Sequence, residues 1–314
     1  MKVTVILCTY NRCESLAKAL DSVAASIVPE AFEWEVLVVD NNSSDQTRTV
    51  VDAVFRRHPG RFRYLFEPRQ GKSHALNTGV REASGDVLAF MDDDVTVEPA
   101  WLRNLTAVLE GGDWTGAGGR ILLEKSFSPP SWLSLNGTYG MGGILALFDL
   151  GDVAGELDQP PFGTNMAFRR SVFEKYGGFR IDLGPRPGSE IRSEDTEFGR
   201  RVMSAGERIW YAPSAVVHHA VPQGRLKKKY FLKWWFDHGR SAIREGGARP
   251  SARRRGIPQT IAGAVPVALR WLLALNPQRR FYCKTRIWLV GGQIVEIYRQ
   301  RQSSPAKPTN AGSA

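Results

Sequence analysis

Three consecutive aspartates, Asp92, Asp93 and Asp94, directly follow the short apolar run Val87–Met91. That run has the composition of a buried strand, and adjacent carboxylates repel one another unless a cation neutralises them. Carboxylate oxygens suit Mg²⁺ or Mn²⁺ that also carries a phosphate group. Because side chains alternate along an extended strand, we expect Asp92 and Asp94 to address one metal site from the same side. The alternative is a solvated acidic loop.

A second acidic pair, Glu194 and Asp195, lies at the predicted start of a helix. Ser193 precedes the pair and is a residue type that caps helices, and acidic residues in the first turn interact favourably with the helix dipole. Helix-start chemistry alone therefore explains the pair, and a catalytic role needs further support.

The elements that must position these residues alternate between strand and helix over the first 110 residues. Each apolar run of strand length is followed by a helical pattern, which predicts an α/β fold with parallel strands joined by right-handed crossovers. The polar ends of the strands then face a common crevice at the carboxyl edge of the sheet. The predicted strands span residues 3–8, 34–39, 62–66 and 87–91, and the polar ends are Thr9–Arg12, Asp40–Asp45 and Asp92–Asp94.

The second half of the chain is less regular. A glycine-containing strand is predicted at residues 114–123, and a late strand at residues 208–217 runs into His218 and His219. Residues 125–161 contain Pro, Gly and Ser, and we expect them to form a mobile loop with some helix that acts as a lid or a substrate-binding segment.

Charge is distributed unevenly along the 314 residues, whose net charge is +10. Residues 222–314 hold 19 of the 42 Lys and Arg residues but only three of the 32 Asp and Glu residues. Residues 227–236 interleave bulky aromatic side chains with lysines, and Arg253–Arg255 add a basic run. This composition is typical of a helix at an anionic membrane surface. RNA binding is the alternative, and the helical spacing of the apolar residues disfavours it.

The most apolar segment, residues 257–275, contains Gln, Thr, Pro and Arg, which disfavours a membrane-spanning helix and leaves surface attachment open. The cysteines Cys8, Cys13 and Cys283 are too few and too scattered for a disulfide framework or a zinc cluster. We therefore expect a reducing, cytoplasmic environment.

Several motifs occur in an order that resembles the family 2 glycosyltransferases, which are inverting enzymes with the GT-A fold. The resemblance implies a mixed, mostly parallel sheet flanked by helices, with a C-terminal helical extension. The motifs are Cys8-Thr-Tyr-Asn-Arg12, Val39-Asp-Asn-Asn-Ser-Ser-Asp45, Gly71-Lys-Ser-His-Ala-Leu-Asn-Thr-Gly79, Asp92-Asp-Asp94, Gly163-Thr-Asn165, Glu194-Asp195 and His219. We accordingly expect a GT-A domain at residues 1–222 (nucleotide-binding half 1–110, donor and acceptor half 111–222), a basic amphipathic extension at 223–302 and a disordered tail at 303–314.

The resemblance also implies a role for each motif. Asp94 would bind a divalent cation, Mn²⁺ or Mg²⁺, with help from Asp92 and from a histidine at the end of the late strand, His219 in preference to His218. Asp40 would accept a hydrogen bond from the nucleotide base. The other residues expected on the nucleotide side are Thr9, Tyr10, Arg12, Asn42, Lys72, Asn77, Asp92 and Asp93.

For the chemistry, the resemblance assigns Asp195 as the general base, with Glu194 as its neighbour. An acceptor hydroxyl is a poor nucleophile, so a carboxylate behind the anomeric carbon must take its proton, and one displacement then inverts that carbon. Gly163 and Asn165 would shape the donor and acceptor side of the site.

These assignments predict transfer of a sugar from a nucleotide sugar to a hydroxyl of a glycan or lipid-linked acceptor in polysaccharide or cell-envelope synthesis. Asp40 favours a UDP-sugar, and we expect a peripheral protein on the inner face of the cell membrane with no nucleic-acid partner. One alternative is a sugar-phosphate nucleotidyltransferase, which would need a Gly-rich basic loop that residues 9–14 do not supply. The other is an inactive carbohydrate-binding scaffold, which would have lost one of the acidic or histidine motifs.

Overall fold

The computed structural model describes residues 1–189, 191–247 and 256–303. The chain forms two compact units, of which the first comprises residues 1–227 and the second begins at Lys228. Strands and helices alternate in the first unit, and the described part of the second unit is helical. The predicted basic run Arg253–Arg255 and the predicted tail beyond Ser303 lie outside the described residues.

Four parallel strands form one side of the sheet in the order β3-β2-β1-β4. The strands are β1 (Lys2–Thr9), β2 (Glu33–Asp40), β3 (Phe62–Phe66) and β4 (Val87–Asp92), and the helices between them are α1 (Cys13–Ala24), α2 (Thr47–Arg57) and α3 (Lys72–Glu82). The predicted strands and their parallel pairing are confirmed. Thr9, Asp40 and Asp92 therefore end their strands at the same edge of the sheet.

Helix α3 packs closely on β1 because it has a glycine at the contact. A Cβ atom on Gly79 would lie 2.5 Å from Cγ2 of Ile6, which is too close for carbon atoms. Ile6 is fully buried, as expected for a parallel strand that is covered on both faces. The close approach fixes the start of α3, and with it Lys72, beside the carboxyl edge of the sheet.

The other side of the sheet is mixed. It contains β5 (Val95–Val97), β6 (Gly116–Leu123), β7 (Gly155–Glu156), β8 (Asn165–Arg169) and β9 (Ile209–His219), with helices α4 (Trp101–Thr106), α5 (Arg170–Tyr176) and α6 (Glu194–Ser204). Strand β8 runs antiparallel between β4 and β6, with Asn165 opposite Met91. Strand β9 pairs with β5, with His219 opposite Val95. These pairings bring residues from both halves of the chain to the end of β4.

The segment between β6 and β8, expected to be a mobile loop, packs against the sheet over much of its length. It contains a short 3-10 helix, Gly142–Leu145, and strand β7. Phe148 exchanges backbone hydrogen bonds with Ile121 of β6 at 2.8 and 3.0 Å, and Leu145 is fully buried. The apolar residues of this segment were spaced too irregularly for the sequence to predict that packing.

The second unit is built on the close packing of α7 (Lys228–Gly247) with α9 (Pro277–Ser303). A Cβ on Gly239 would lie 2.1 Å from the carbonyl oxygen of Leu289, and one on Gly292 would lie 1.8 Å from that of Phe236. Glycine at both positions lets the two backbones touch.

This packing removes two of the aromatic residues of α7 from the surface that was predicted to contact a membrane. Phe231 is fully buried and Trp235 is 8% exposed, because they pack inside the second unit. Arg240 of α7 lies 3.1 Å from buried Glu296 of α9, which adds an ion pair to the same contact.

Helix α8 (Ile257–Leu272) presents an apolar face instead. Ile261, Val265, Leu269 and Leu272 are spaced for one side of a helix, and each is at least 50% exposed in the part of the chain that the structure describes. None of the described helices combines the length and the apolar character that crossing a membrane requires.

Candidate functional site

Two of the three aspartates lie in the turn after β4 and are held by groups from the end of β1. Arg12 donates hydrogen bonds to Asp93 Oδ1 at 2.9 Å and to Asp94 Oδ2 at 2.7 Å. The hydroxyl of Thr9 donates to Asp93 Oδ2 at 2.8 Å. Burial raises the pKa of Asp93, although Arg12 opposes the shift. The acidic cluster is thus buried and depends on basic partners rather than on solvent.

Asp92 has different partners. Lys72 Nζ donates to its Oδ1, and the hydroxyl of Thr164 donates to its Oδ2 at 2.7 Å. Strand β4 ends at Asp92, and the chain turns through Asp93 and Asp94 before β5 begins. Strand alternation therefore does not relate Asp92 to Asp94, because the extended conformation stops at Asp92.

His219 lies beside Asp94 at the end of β9, with its Nε2 3.5 Å from Asp94 Oδ2. Its Nδ1 is 2.8 Å from the carbonyl oxygen of Leu145, so Nδ1 carries the proton and the lone pair of Nε2 faces Asp94. Burial alone would raise the pKa of Asp94, but the nearby guanidinium groups of Arg12 and Arg225 hold it well below its usual range. His218 instead pairs with Glu98 at 3.2 Å.

Asp94 and His219 fit part of a divalent-metal site. A carboxylate oxygen and an imidazole nitrogen 3.5 Å apart are close to the separation of about 3 Å between neighbouring ligands of a hexacoordinate ion. Within the described residues, no three His, Cys, Asp or Glu side chains gather around one point as in an all-protein metal cage. The pair therefore fits an ion whose remaining ligands are diphosphate oxygens and water, which is how Mg²⁺ commonly binds with nucleotides.

On the other side of β1, Asp40 ends β2 and is 3% exposed. Its Oδ2 accepts a hydrogen bond from the hydroxyl of Tyr64 at 2.8 Å, and its Oδ1 accepts one from the backbone N–H of Ser43 at 2.9 Å. Each carboxylate oxygen has a second lone pair, so Asp40 can still accept a hydrogen bond from a ligand. Tyr10, expected next to the nucleotide, is exposed at the neighbouring end of β1.

The ends of β1 and β2 are tied together. Asn11 Oδ1 accepts a hydrogen bond from the backbone N–H of Ser44 at 2.7 Å, and the backbone N–H of Cys13 donates to Asp45 Oδ2 at 3.0 Å. Asn11 and Asn42 have φ values of 51° and 65°, a conformation that asparagine adopts more readily than most residues. Asn42, whose nucleotide contact stays a prediction, is exposed at this tip.

Glu194 and Asp195 begin α6, across the site from Asp92. Lys72 Nζ lies 3.8 Å from Glu194 Oε1, and Asp195 Oδ2 accepts a hydrogen bond from the backbone N–H of Gly163 at 2.6 Å. Burial, reinforced by the charge of Asp195, raises the pKa of Glu194 to about 7 against the effect of Lys72. Ser193 has a φ of 81° and its side chain makes no capping bond, so the predicted cap is wrong. Lys72 and the backbone N–H of Gly163 hold the pair instead.

The side-chain amides of two predicted site residues form hydrogen bonds within the protein. Asn77, predicted on the nucleotide side, donates to and accepts from the backbone of Phe179, both at 2.8 Å, so it holds that neighbouring loop. Asn165 is fully buried, accepts a hydrogen bond from Trp101 Nε1 at 2.8 Å and donates to backbone carbonyls of β6 and β9. Asn165 therefore fixes the position of Gly163 and of its neighbours in the chain.

Sequence reasoning missed two residues of the site. Thr164 stands between two motif residues, and its bond to Asp92 requires the antiparallel pairing of β8 with β4. Arg225 lies in the short 3-10 helix Gln223–Leu226 after β9 and contacts Asp94 and His219. Its closeness to the strand end that carries the histidines was the available signal, but it was counted with the basic C-terminal segment.

Comparison with known proteins gives a consistent result. A sequence profile described as glycosyl transferase family 2 matches residues 4–177. Succinoglycan biosynthesis protein ExoM of Rhizobium meliloti is 30% identical over 268 residues, which are 84% of this chain and 81% of that protein. A glucosyl-dolichyl phosphate glucuronosyltransferase of Haloferax volcanii is 28% identical over 75% of each chain. The structure of mannosyltransferase PcManGT from Pyrobaculum calidifontis, in complex with GDP-Man and Mn²⁺, is similar with a TM-score of 0.64 at 19% identity, over 95% of this chain and 87% of that one.

Proposed function

Because the chain belongs to glycosyltransferase family 2 and uses a nucleotide-sugar donor, we propose that it transfers the sugar by a metal-assisted displacement that inverts the anomeric carbon. The observation that carries this proposal is the meeting of two acidic groups at one sheet edge. Asp94 with His219 lies on one side of the site and Asp195 on the other, and Lys72 stands between Asp92 and Glu194.

Asp94 and His219 are the residues that would hold Mn²⁺ or Mg²⁺. When bound, the ion offsets the negative charge that develops on the departing nucleoside diphosphate. The lone pairs of Asp94 Oδ2 and His219 Nε2 support this assignment because they face the same space. Asp92 is held by Lys72 and Thr164, and the second lone pair on each of its oxygens leaves it able to contribute to the same site.

Asp195 is the general base that takes the proton of the acceptor hydroxyl. It is partly exposed, whereas its neighbour Glu194 is 4% exposed, so an acceptor can reach Asp195. The N–H of Gly163 fixes Asp195 Oδ2 at 2.6 Å, which orients the carboxylate. Lys72 and buried Glu194, which contact each other, are its polar neighbours.

The nucleotide occupies the ends of β1 and β2. Buried Asp40 retains acceptor capacity for a ring N–H, which favours uracil as the base. Thr9 and Arg12 hold Asp93 on the ribose and diphosphate side, and Tyr10 and Asn42 are exposed where they can contact the nucleoside.

The acceptor is a hydroxyl of a glycan or of a lipid-linked sugar. The names of two similar proteins support this class, because one refers to succinoglycan biosynthesis and the other to glucosyl-dolichyl phosphate. A lipid-linked acceptor would be met at a membrane surface, and α8 offers a suitable contact.

The apolar face of α8, formed by Ile261, Val265, Leu269 and Leu272, is the surface that would rest on an anionic membrane. Exposed basic residues lie near it in sequence, with Arg270 in the last turn of α8 and Arg279 and Arg280 in α9, and they suit anionic headgroups. The combination of an apolar face and basic flanks supports a peripheral position on the inner face of the cell membrane.

Binding of nucleoside diphosphates to the purified protein tests this function. We expect UDP to bind in the presence of Mn²⁺, and we expect this binding to be lost when a chelator removes the metal. Asp94→Asn should weaken the metal-dependent binding of UDP by about tenfold or more, because it removes a charged metal ligand. Asp149→Asn, which removes a carboxylate paired with Arg120, is the matched control. Equal UDP affinity with Mn²⁺ and with chelator would contradict the metal assignment, and sugar transfer from GDP-sugars alone would contradict the choice of base.

A further inference from the structure

Arg225 contacts both candidate metal ligands at once. Its Nη1 donates a hydrogen bond to His219 Nε2 at 3.2 Å, and its Nη2 lies 3.3 Å from Asp94 Oδ2. The side chain is 16% exposed, so the guanidinium is largely enclosed. It fills the space that the Asp94 and His219 lone pairs face.

These contacts and a bound metal ion exclude each other. Neutral imidazole has a single lone pair on Nε2, and an N–H of Arg225 already occupies the lone pair of His219. A divalent ion on Asp94 would also be repelled by a guanidinium on the same oxygen. Arg225 must therefore leave His219 whenever a metal binds there.

Arg12 differs from Arg225 in this respect. Arg12 also bonds to Asp93 Oδ1 at 2.9 Å, so it keeps a carboxylate partner when a metal takes Asp94. Arg225 has no carboxylate other than Asp94 among its ion pairs in the described residues. The displaced guanidinium needs another anion.

We propose that Arg225 is a donor-binding residue that exchanges Asp94 for the diphosphate of the nucleotide sugar when the metal binds. This inference rests on the proposed function, in which the diphosphate shares the metal with Asp94. A guanidinium forms paired hydrogen bonds with phosphate oxygens, so the diphosphate is a suitable second partner. Before the donor arrives, Arg225 neutralises Asp94 and competes with the metal.

The exchange predicts two effects of opposite sign for Arg225→Ala. Without nucleotide, Mn²⁺ should bind about tenfold more tightly, because the competing cation is gone. At saturating Mn²⁺, inorganic pyrophosphate and UDP should bind about tenfold more weakly, because a phosphate ligand is gone. A residue that only supports the fold would weaken both affinities or neither.

Calorimetry of Mn²⁺ alone, and of pyrophosphate and UDP with saturating Mn²⁺, measures both effects. Lys227→Ala removes one positive charge two residues away and is the matched control. Arg225→Lys keeps the charge without the planar fork and should fall between wild type and Arg225→Ala. The proposal is overturned if Arg225→Ala matches Lys227→Ala in both titrations, or if it binds Mn²⁺ more weakly than wild type.

Should Arg225→Ala fail to fold, as judged by circular dichroism, the lysine variant and a structure of the wild-type protein with Mn²⁺ and pyrophosphate decide the question. Arg225 should then lie on the diphosphate, and Arg225 retained on His219 would overturn the proposal. Normal Mn²⁺ and pyrophosphate binding by wild type, with no opposed effects in the variants, refutes the Arg225 inference alone. Wild-type sugar transfer in chelator refutes the metal-assisted function itself.

Discussion

Lys72 connects the two acidic parts of the site. It donates to Asp92 and lies 3.8 Å from Glu194. Burial alone would lower the Lys72 pKa, but the charges of Asp92, Glu194 and Asp195 raise it, so the ammonium group stays charged at neutral pH. The Lys72 ammonium group, on a side chain that is 23% exposed, thus offsets carboxylates that would otherwise repel each other across the site.

At the residue scale, Asp195→Asn should remove transfer and leave nucleotide binding within about twofold of wild type. Loss of a positioned general base typically costs about 10²- to 10⁴-fold in rate, whereas the bound nucleotide does not depend on that proton transfer. Measurement of kcat together with UDP affinity separates the two effects. Glu197→Gln, in the same helix and paired with Arg201, is the control and should retain transfer. Residual turnover above a tenth of wild type would assign the base elsewhere.

The sequence predicted the residue types of the site better than their contacts. The acidic motifs and His219 are brought together, because strand ends at one sheet edge must converge. The turn after Asp92 was not predicted, because it cannot be read from three identical residues. Arg225 was missed because its contact with His219 depends on how the chain folds back after β9, which the local sequence pattern does not show.

At the element scale, a buried carboxylate holds the connection between β3 and α3. Glu67 is 3% exposed and accepts hydrogen bonds from Arg69 Nε at 2.8 Å and from the hydroxyl of Thr78 in α3. Arg69, against the effect of burial and with help from Thr78, lowers the pKa of Glu67 to about 2. This bond network fixes the loop that leads to Lys72.

Glu67→Gln should lower the free energy of unfolding by about 2 kcal/mol at pH 7, because it removes the charge from a buried hydrogen-bonded network. The folded-state pKa of Glu67 lies below its ordinary value of 4.5. The stabilisation is therefore complete above about pH 4.5 and is lost as the pH falls towards 2. Urea unfolding of both proteins at several pH values should show the difference shrinking over that range.

Glu82→Gln, at the exposed end of α3, is the control for Glu67→Gln. Its ion pair with Arg81 is on the surface, so the change should stay within about 0.5 kcal/mol at every pH. A Glu67→Gln difference that persisted unchanged at pH 3 would show that packing, not the charge, accounts for the loss.

The parallel strands were predictable and the antiparallel ones were not, for a physical reason. Strands β1, β2 and β4 are buried on both faces and read as largely continuous apolar runs, and helices follow β1, β2 and β3 directly. Strand β8 is five residues long and pairs with β4, which lies far away in sequence. Local pattern carries no information on such a pairing. The GT-A fold itself is confirmed.

At the scale of the whole molecule, the apolar and basic surfaces are concentrated towards the C-terminus. The second unit contains both the apolar face of α8 and most of the positive charge of residues 222–314. Of the aromatic residues of α7, which the sequence favoured for membrane contact, Phe231 and Trp235 are buried. Composition predicted a basic, amphipathic segment, but only the packing of the helices shows which helix exposes an apolar face.

The double variant Ile261→Ser with Leu269→Ser should lose most binding to vesicles that contain anionic phospholipid. Burial of each exposed side chain in the membrane interface contributes about 1.5 to 3 kcal/mol of binding free energy. The double change should therefore weaken partitioning at least tenfold, since both side chains are exposed. Vesicle sedimentation at physiological salt measures the effect. Because both positions are at least 50% exposed, the fold should be kept.

Val153→Ser is the control for the membrane variants, since Val153 is 83% exposed in the first unit. It should bind vesicles like wild type. Equal binding of wild type and double variant would contradict the role of α8, and a concentration-dependent dimer in light scattering that the double variant abolishes would assign the apolar face to a second copy of the chain.

The bonds between the ends of β1 and β2 have a consequence for how the donor is recognised. The hydrogen bonds of Asn11 with Ser44 and of Cys13 with Asp45 join the two tips within the protein itself. A nucleoside entering there would meet a rigid receptor, so little of its binding free energy would be spent on freezing loops. Uridine without phosphates should therefore compete measurably with UDP, and fragments that mimic the base alone become practical starting points for inhibitors.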